Sequence, residues 1–257
     1  MEDNKERQLL LARLTDLVRQ VKRTGQCRAT GFLDPAEMAV AKRFIQYEAA
    51  DLSYVVSGGY PEAERTVLFL CPKWLDAETE FRREPPIAAL AVSWPDQFYS
   101  LRHRDLLGAI LGLGLERSQV GDILIAEGRA QVLVLAGIVR YIAQELKTAG
   151  RAPVRATLLS VTELVPPVRQ VKQIRATVAS PRLDSVLAAA FGLSRSKAVP
   201  LITAGRVEVN FELMTNPAFL LEPGCMLSVR GLGRARLVEL AGKTKKGRLM
   251  AVIERFI

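Results

Sequence analysis

The chain has 257 residues, of which 49% are hydrophobic and 25% are charged. This composition excludes a disordered chain, and the length is enough for two or three domains that each bury a core. The formal net charge of +9 favours an anionic partner, with nucleic acid first and an acidic membrane surface second.

The chain has few metal-binding side chains and no long apolar segment. One histidine and three cysteines (Cys27, Cys71 and Cys225) lie far apart, whereas a zinc site needs about four such ligands. We therefore expect no metal or cofactor, and thiols that are buried or idle in a reducing compartment. The longest charge-free apolar run, 106–115, is about half of the roughly 20 residues that span a bilayer. The N-terminus lacks a signal peptide's apolar region, so we expect a cytoplasmic protein without a membrane span.

Two amphipathic helices are predicted in an N-terminal helical region, residues 1–50. In residues 4–24, apolar residues recur at spacings of three and four. A second helix begins at "DPAE", with Asp34 as N-cap, Pro35 at the first helical position and Glu37 completing a capping box. The residues predicted to face inward are Leu10, Leu14, Leu17, Val18, Val21, Met38, Ala41, Ile45 and Ala49.

The pattern changes in a central domain, residues 51–165, where strands alternate with helices. A hairpin is predicted around Gly128, between "DILIAE" and "AQVLVLA". The order favours an α/β sandwich similar to the RNA-recognition motif (RRM), which is ferredoxin-like. Its aromatic residues suit core packing or a base-stacking sheet. The predicted strands are 66–71, 87–94 and 154–161, and the predicted helices are 103–114 and 137–150.

A linker over residues 166–180 is predicted to separate this domain from a C-terminal one, residues 181–257. "ELVPPVRQ" (163–170) breaks the pattern with two prolines. The following segment, 169–178, alternates apolar and basic residues and is compatible with a strand.

The C-terminal module holds most of the net charge. Residues 182–257 contain twelve Lys or Arg and six acids, a difference of +6 out of the total +9. This concentration in under a third of the chain is the electrostatic pattern that a phosphate backbone favours.

Glycines mark the elements of this module. "RLDSVLAAAF" (182–191) predicts a helix that ends at Gly192, and "SRSKAVPLIT" (194–203) predicts a second helix that Ser194 can cap and Gly205 ends. "RVEVN" then predicts a strand. The inward-facing residues are Leu183, Val186, Leu187, Ala190, Ala198, Leu201, Ile202, Val207 and Val209.

The second helix has cations near both ends. Arg195 and Lys197 lie in its first turn, where the backbone N–H groups and the helix dipole already favour an anion. Arg206 follows its other end. We expect these side chains and amides to cradle a phosphate backbone.

The order and spacing of these residues resemble the S4 RNA-binding domain, a family named after a ribosomal protein. "RLDSVLAAAFGLSRSKAVPLITAGRVEVN" and the following "EPGCMLSVRGLGR" are similar to its pattern over residues 182–236. The chain departs from that pattern at Cys225, where aspartate is usual, and at Pro200, which should kink the second helix.

Upstream segments resemble one S4-containing group. "GGYPEAER" (58–65), "HRDLLGAILGLGLERSQVGDI" (103–123) and the "RGLGR…GKTKKGR" tail are similar to the YlmH family and its cyanobacterial and chloroplast relatives, sometimes labelled photosystem II S4-domain proteins. The resemblance implies an α+β protein that binds ribosomal and transfer RNA without catalysing a reaction. It also implies a ribosome-associated role at the large subunit in rescue of stalled translation. We expect a monomer in the cytoplasm, or in the chloroplast stroma if the source is a plastid.

Pattern and resemblance together give the candidate RNA-binding residues. Asp184 is expected to pair with a nearby arginine, and Asn210 to close a turn through its side chain. A basic hairpin at 243–248 is a second expected phosphate contact. The candidates are Arg182, Ser194, Arg195, Ser196, Lys197, Arg206, Asn210, Arg230, Arg234, Lys243, Lys245 and Lys246, with a secondary patch at Arg102, His103 and Arg104.

Two other classes of function stay open at this stage. An RNA-modifying enzyme similar to pseudouridine synthases could use the S4 module for targeting. Those enzymes carry an R-L-D-x-x-T-S/T-G catalytic stretch after the module, whereas Arg182-Leu183-Asp184 lies inside the module here and is followed by Ser-Val-Leu-Ala. A deep pocket around Asp51, Asp76 or Asp105 would favour the enzyme. A membrane-surface protein could use the same basic face, but no basic amphipathic helix with exposed bulky apolar residues supports it.

Overall fold

The computed structural model describes residues 2–166, 171–243 and 248–256. The chain is an α+β protein that divides into two compact units, Met1–Pro167 and Val168–Ile257. Each unit is considered on its own below.

The first unit begins with two helices packed on a small sheet. The helices are α1 (Glu2–Thr24) and α2 (Pro35–Glu48), and the strands β1 (Arg28–Ala29), β2 (Leu52–Ser57) and β3 (Val67–Pro72) pair in the order β1-β3-β2. All the predicted inward residues of both helices are buried except Leu17, which is partly buried. The predicted capping box of α2 is confirmed, because Asp34 and Glu37 bond each other's backbone N–H groups.

The strand β3 belongs with these helices, although the sequence grouped it with the central strands. Leu68 and Leu70 are fully buried in the core that α1 and α2 form. The antiparallel pairing of β1 with β3 also places Cys27 beside Cys71, and a disulfide joins them. The expectation of three unpaired thiols is therefore wrong for these two cysteines, because strand pairing that spacing cannot show brings them together.

The central part of this unit has the element order β-α-β-β-α-β of the ferredoxin-like motif. These elements are β4 (Ile87–Ser93), α4 (His103–Leu111), β5 (Val120–Ala126), β6 (Arg129–Leu135), α5 (Val139–Glu145) and β9 (Arg155–Leu159). The strands form an antiparallel sheet in the order β5-β6-β4-β9. The hairpin at Gly128 is confirmed. A short helix α3 (Ala77–Arg83) precedes this part, and a two-stranded ribbon, β7 (Thr148–Ala149) and β8 (Ala152–Pro153), lies inside it.

The two faces of the central sheet have different coverings. On one face, Leu90 and Val132 pack with helices α4 and α5. On the other, Leu133 packs with Phe32 and Val67 from the N-terminal part of the same unit. An RRM stacks bases on the sheet face away from its helices, and in this chain part of that face is buried by Phe32 and Val67. A likeness to the RRM in RNA recognition therefore stays a prediction.

The second unit packs two helices on one antiparallel sheet. The helices are α6 (Leu183–Phe191) and α7 (Arg195–Thr203), and the strand order is β10-β15-β14-β13-β11-β12. All the predicted inward residues are buried except Leu201, which is partly buried. The strands are β10 (Val171–Val178), β11 (Val207–Val209), β12 (Glu212–Leu213), β13 (Met226–Val229), β14 (Gly233–Lys243) and β15 (Leu249–Phe256).

The linker prediction does not hold over residues 171–178. This segment is β10, which pairs with β15 along its whole length. The strand completes the edge of the C-terminal sheet, and Val178 is buried in its core. The alternation of apolar and basic residues was therefore a strand signal, and the division between the two units falls directly after the two prolines, between Pro167 and Val168.

No single helix of the described chain is long and apolar enough to cross a membrane. The helices α6 and α7 reach the required length and composition only as a pair that bends by 115°. Their apolar residues Leu183, Leu187 and Ile202 are fully buried in the core of the second unit.

Candidate nucleic-acid interface

The sharp bend between α6 and α7 sets the geometry of the candidate surface. Gly192 ends α6 with a positive φ of 65°, a conformation that glycine adopts without steric cost. Three residues later, Arg195 begins α7. Pro200 lies inside α7, and the helix continues past it to Thr203.

Asp184 joins two arginines at the start of α6. Its carboxylate is 3% exposed and accepts hydrogen bonds from Arg182 Nε (3.3 Å) and Nη2 (3.0 Å). Arg195 Nη2 donates to the same carboxylate at 2.6 Å, and Ser185 Oγ donates at 3.1 Å. The expectation that Asp184 pairs with an arginine is confirmed, but with two arginines. Because one carboxylate neutralises only one guanidinium, the cluster keeps a net positive charge.

The pKa of Asp184 reflects this environment. Burial opposes ionisation, but the hydrogen bonds from Arg182, Arg195 and Ser185 outweigh it and lower the pKa of Asp184 to about 2. The same contact raises the pKa of Arg182. The carboxylate of Asp184 is therefore ionised at neutral pH. The side chains of Arg182 and Arg195 remain 38% and 60% exposed, so solvent still reaches both.

The start of α7 is exposed. Ser194 occupies the N-cap position, but its hydroxyl lies 2.8 Å from that of Ser196 and does not cap the helix, contrary to the prediction. Lys197 is exposed and forms no ion pair with a described residue. The N–H groups of a first helical turn lack intrahelical partners, so this end suits an anion.

A second pair of arginines lies beyond the other end of α7. Arg206 Nη2 donates to the backbone O of Arg230 at 2.9 Å, and the backbone N–H of Arg230 donates to Arg206 O at 3.0 Å. Both residues are exposed. A nine-residue helix is about 14 Å long, and it separates this pair from the Asp184 cluster. We call Arg182, Arg195, Lys197, Arg206 and Arg230 the α7 basic surface.

Asn210 has a structural role in the turn between β11 and β12. Its φ is 50°, its Oδ1 accepts from Met226 N–H at 2.8 Å, and its Nδ2 contacts Cys225 Sγ at 3.6 Å. Asn210 therefore lies in a turn, but its side chain ties that turn to the start of β13 and does not close the turn itself, contrary to the expectation. Arg234 lies over the ring of Phe211, with its guanidinium carbon 5.9 Å from the ring centroid.

The remaining candidates lie outside the described side chains or belong to the first unit. Lys245 and Lys246 lie outside the described residues, and only the backbone of Lys243 is described. Arg102, His103 and Arg104 are exposed at the start of α4, in the first unit. Their role as a secondary RNA contact stays a prediction.

The three acids around which an enzyme pocket was sought, Asp51, Asp76 and Asp105, have structural partners. Asp51 binds Lys22 Nζ at 2.9 Å, and this contact lowers the pKa of Asp51 despite the opposing effect of partial desolvation. Asp76 caps α3 through Thr79, which lowers the pKa of Asp76. Asp105 accepts from the backbone N–H of Arg102 at 2.8 Å. Among the described residues, no group of His, Cys, Asp and Glu side chains is placed to hold a metal ion.

The α6–α7 pair, the sheet beneath it and the basic surface define an S4-domain RNA-binding protein. The family model described as "S4 domain" matches residues 181–226. The models "YlmH, N-terminal" and "Putative RNA-binding domain in YlmH" match residues 6–74 and 81–163. The chain belongs to the YlmH family.

Two relatives support this assignment. The chain is 36% identical over 238 residues to the "Ribosome-associated protein quality control protein P2" of Bacillus subtilis (strain 168), covering 92% of this chain and 90% of the relative. The solved structure of "Cell division protein ylmH from Streptococcus pneumoniae" is 26% identical and has a TM-score of 0.51. The match covers 62% of this chain and 93% of that one. The resemblance to the YlmH family is therefore confirmed.

Proposed function

We propose that this protein is a ribosome-associated factor that binds ribosomal or transfer RNA through the α7 basic surface. It would act in quality control of translation, in the cytoplasm and as a monomer that contacts the large ribosomal subunit. The name of the Bacillus subtilis relative supports the ribosomal role. The S4 domain supports RNA as the ligand.

The observation that carries this proposal is the arrangement of exposed cations along α7. Arg182 and Arg195 share the buried carboxylate of Asp184, so their guanidinium groups are held in place before a ligand arrives. Preorganised donors lose less conformational entropy on binding. Lys197 adds exposed charge in the first turn of α7, and Arg206 and Arg230 add it beyond the other end of the helix. Phosphate contacts of this kind fix an RNA in position without reading its sequence.

We propose further that the protein is not an enzyme. Asp51, Asp76 and Asp105 hold local structure through Lys22, Thr79 and the backbone of Arg102. No feature of the described surface favours the RNA-modifying alternative over binding.

The test is the affinity of the full chain for bulk transfer RNA and for deproteinised ribosomal RNA. Reversing two exposed charges, Lys197→Glu and Arg206→Glu, should weaken both interactions at least about 50-fold at 0.1 M salt, since each phosphate contact is worth roughly eightfold there. Arg175→Glu, a single charge reversal on an exposed position of β10, is the control for each reversal taken alone. Equal affinities of the parent and the double variant would refute the proposed surface, and failure of the parent to bind would refute RNA as the ligand.

A further inference from the structure

Two cations face each other across the edge of the C-terminal sheet. Lys172 on β10 pairs in register with Arg255 on β15. Side chains in register on antiparallel strands lie on one face with Cβ atoms about 5 Å apart, and like charges in such a pair destabilise the sheet. Neither side chain forms an ion pair with a described residue. Because this repulsion costs stability, we looked for a binding partner that the two cations could share.

The pair lies on the sheet face that carries the helices. The next register position inward, Ile174 opposite Ile253, packs into the core with α6. The guanidinium of Arg255 lies 5.1 Å from the ring centroid of Phe191, the last residue of α6. The bend into α7 follows immediately. The two cations therefore lie beside the same turn that leads to the α7 basic surface.

Among the described residues, no acid lies next to the pair in its row of the sheet, and the acid of that row, Glu212, is at the opposite edge on β12. On the neighbouring strand β14, Ala235 occupies the register position opposite Arg255. The nearest acid on β15 is Glu254, which points to the other face and binds Arg236 Nη2 at 2.8 Å. The cation–π contact with Phe191 fixes Arg255 without removing its charge.

We propose that Lys172 and Arg255 form a second phosphate-binding site, which extends the RNA surface beyond the S4 domain onto the two outer strands of the sheet. This proposal rests on the proposed function, since RNA is its ligand. Both residues lie outside the segment that matches the S4 domain, residues 181–226. An RNA phosphate between the two cations would relieve their repulsion and gain a contact with each.

A competing explanation is structural. Cations near the end of a helix stabilise its dipole, and both residues lie near the C-terminal end of α6. The two explanations differ in what they predict for RNA affinity. A structural role alone predicts a lower melting temperature with unchanged affinity, whereas a ligand site predicts a lower affinity, whatever the loss of the cation–π contact with Phe191 does to the melting temperature.

The experiment compares the parent, a Lys172→Gln/Arg255→Gln variant and Arg175→Gln in the full chain. Arg175 is on the same strand as Lys172, is exposed, and points to the opposite face of the sheet. The probe is deproteinised ribosomal RNA, titrated over a range of salt concentrations. We expect the double variant to lose roughly 50-fold in affinity at 0.1 M salt and to reduce the steepness of the log–log salt dependence by about 1.5 to 2. Arg175→Gln should stay within about twofold of the parent.

The outcomes separate this site from the proposed function. If the parent binds and the double variant matches Arg175→Gln, the second site is refuted while the α7 surface stands. If the double variant melts at a lower temperature and binds like the parent, the two cations have a structural role and the site is also refuted. If the parent itself does not bind RNA, both the proposed function and this second site are refuted.

Discussion

Replacing Asp184 by asparagine tests the cluster that organises the α7 basic surface. The substitution removes the charge that Arg182 and Arg195 share while keeping the size of the side chain. A pKa of about 2, compared with an ordinary value near 3.9, corresponds to about 2.5 kcal/mol of stability at neutral pH. For a unit of this size, that loss lowers the melting temperature by roughly 10–20 °C.

The pH dependence gives the sign of this effect. Because folding lowers the pKa of Asp184, its contribution is complete above about pH 5 and is lost as the pH falls through 4 towards 2. The difference in stability between the parent and Asp184→Asn should therefore be constant near neutrality and vanish close to pH 2.

Calorimetry of the full chain and hydrogen exchange of the amides in α6 and α7 measure this difference. Glu208→Gln, an exposed acid on β11, is the control and should change the free energy of unfolding by less than about 0.5 kcal/mol. An Asp184→Asn chain as stable as the parent at pH 7, or a difference that does not change with pH, would refute the reasoning about the cluster.

The remaining predictions concern three other features. Lys197→Glu alone should lower RNA affinity without changing the melting temperature, as filter binding and calorimetry would report; unchanged affinity would exclude this residue from the surface. Gly121→Ala should destabilise the first unit by about 1–3 kcal/mol, because the new Cβ would lie 2.6 Å from the ring of Phe32; unchanged stability by calorimetry would contradict the packing. Thiol titration of the unfolded, unreduced chain should find one reactive thiol, since Cys27 and Cys71 are joined; three would contradict the disulfide.

Local signals in the sequence predicted the helices and their inward faces well. Asp34 and Glu37 form the predicted capping box, and Gly192 ends α6 as expected. These features depend on residues within a few positions of each other, so the sequence contains the information directly. The helices α6 and α7 and the strand β11 were predicted for the same reason, because they follow one another directly in the sequence.

Long-range pairing was harder to predict. The position of β3 in the sheet of the N-terminal helices, and of β10 in the C-terminal sheet, depends on partners that are distant in sequence. β10 pairs with a strand that begins at Leu249, and a period-two pattern gives the strand but not its partner. The disulfide between Cys27 and Cys71 was missed for the same reason.

The sequence predicted which residues form the candidate site but not which side chains they contact. The motif placed Arg195 at the start of α7, where its guanidinium was expected to contact an anionic ligand and no pairing with Asp184 was foreseen for it in particular. The structure shows that Asp184, eleven positions earlier, also holds it. The pairing of Lys172 with Arg255 had no signal in the sequence, because a register between strands 83 positions apart is set by the whole sheet.

Ultraviolet crosslinking of the full chain to ribosomal RNA, followed by mass spectrometry of the crosslinked peptides, tests the central claim most directly. Binding along α7 predicts that the crosslinks concentrate in peptides from residues 182–206 and around Arg230. Crosslinks confined to peptides of the first unit, with none in the second, would contradict it.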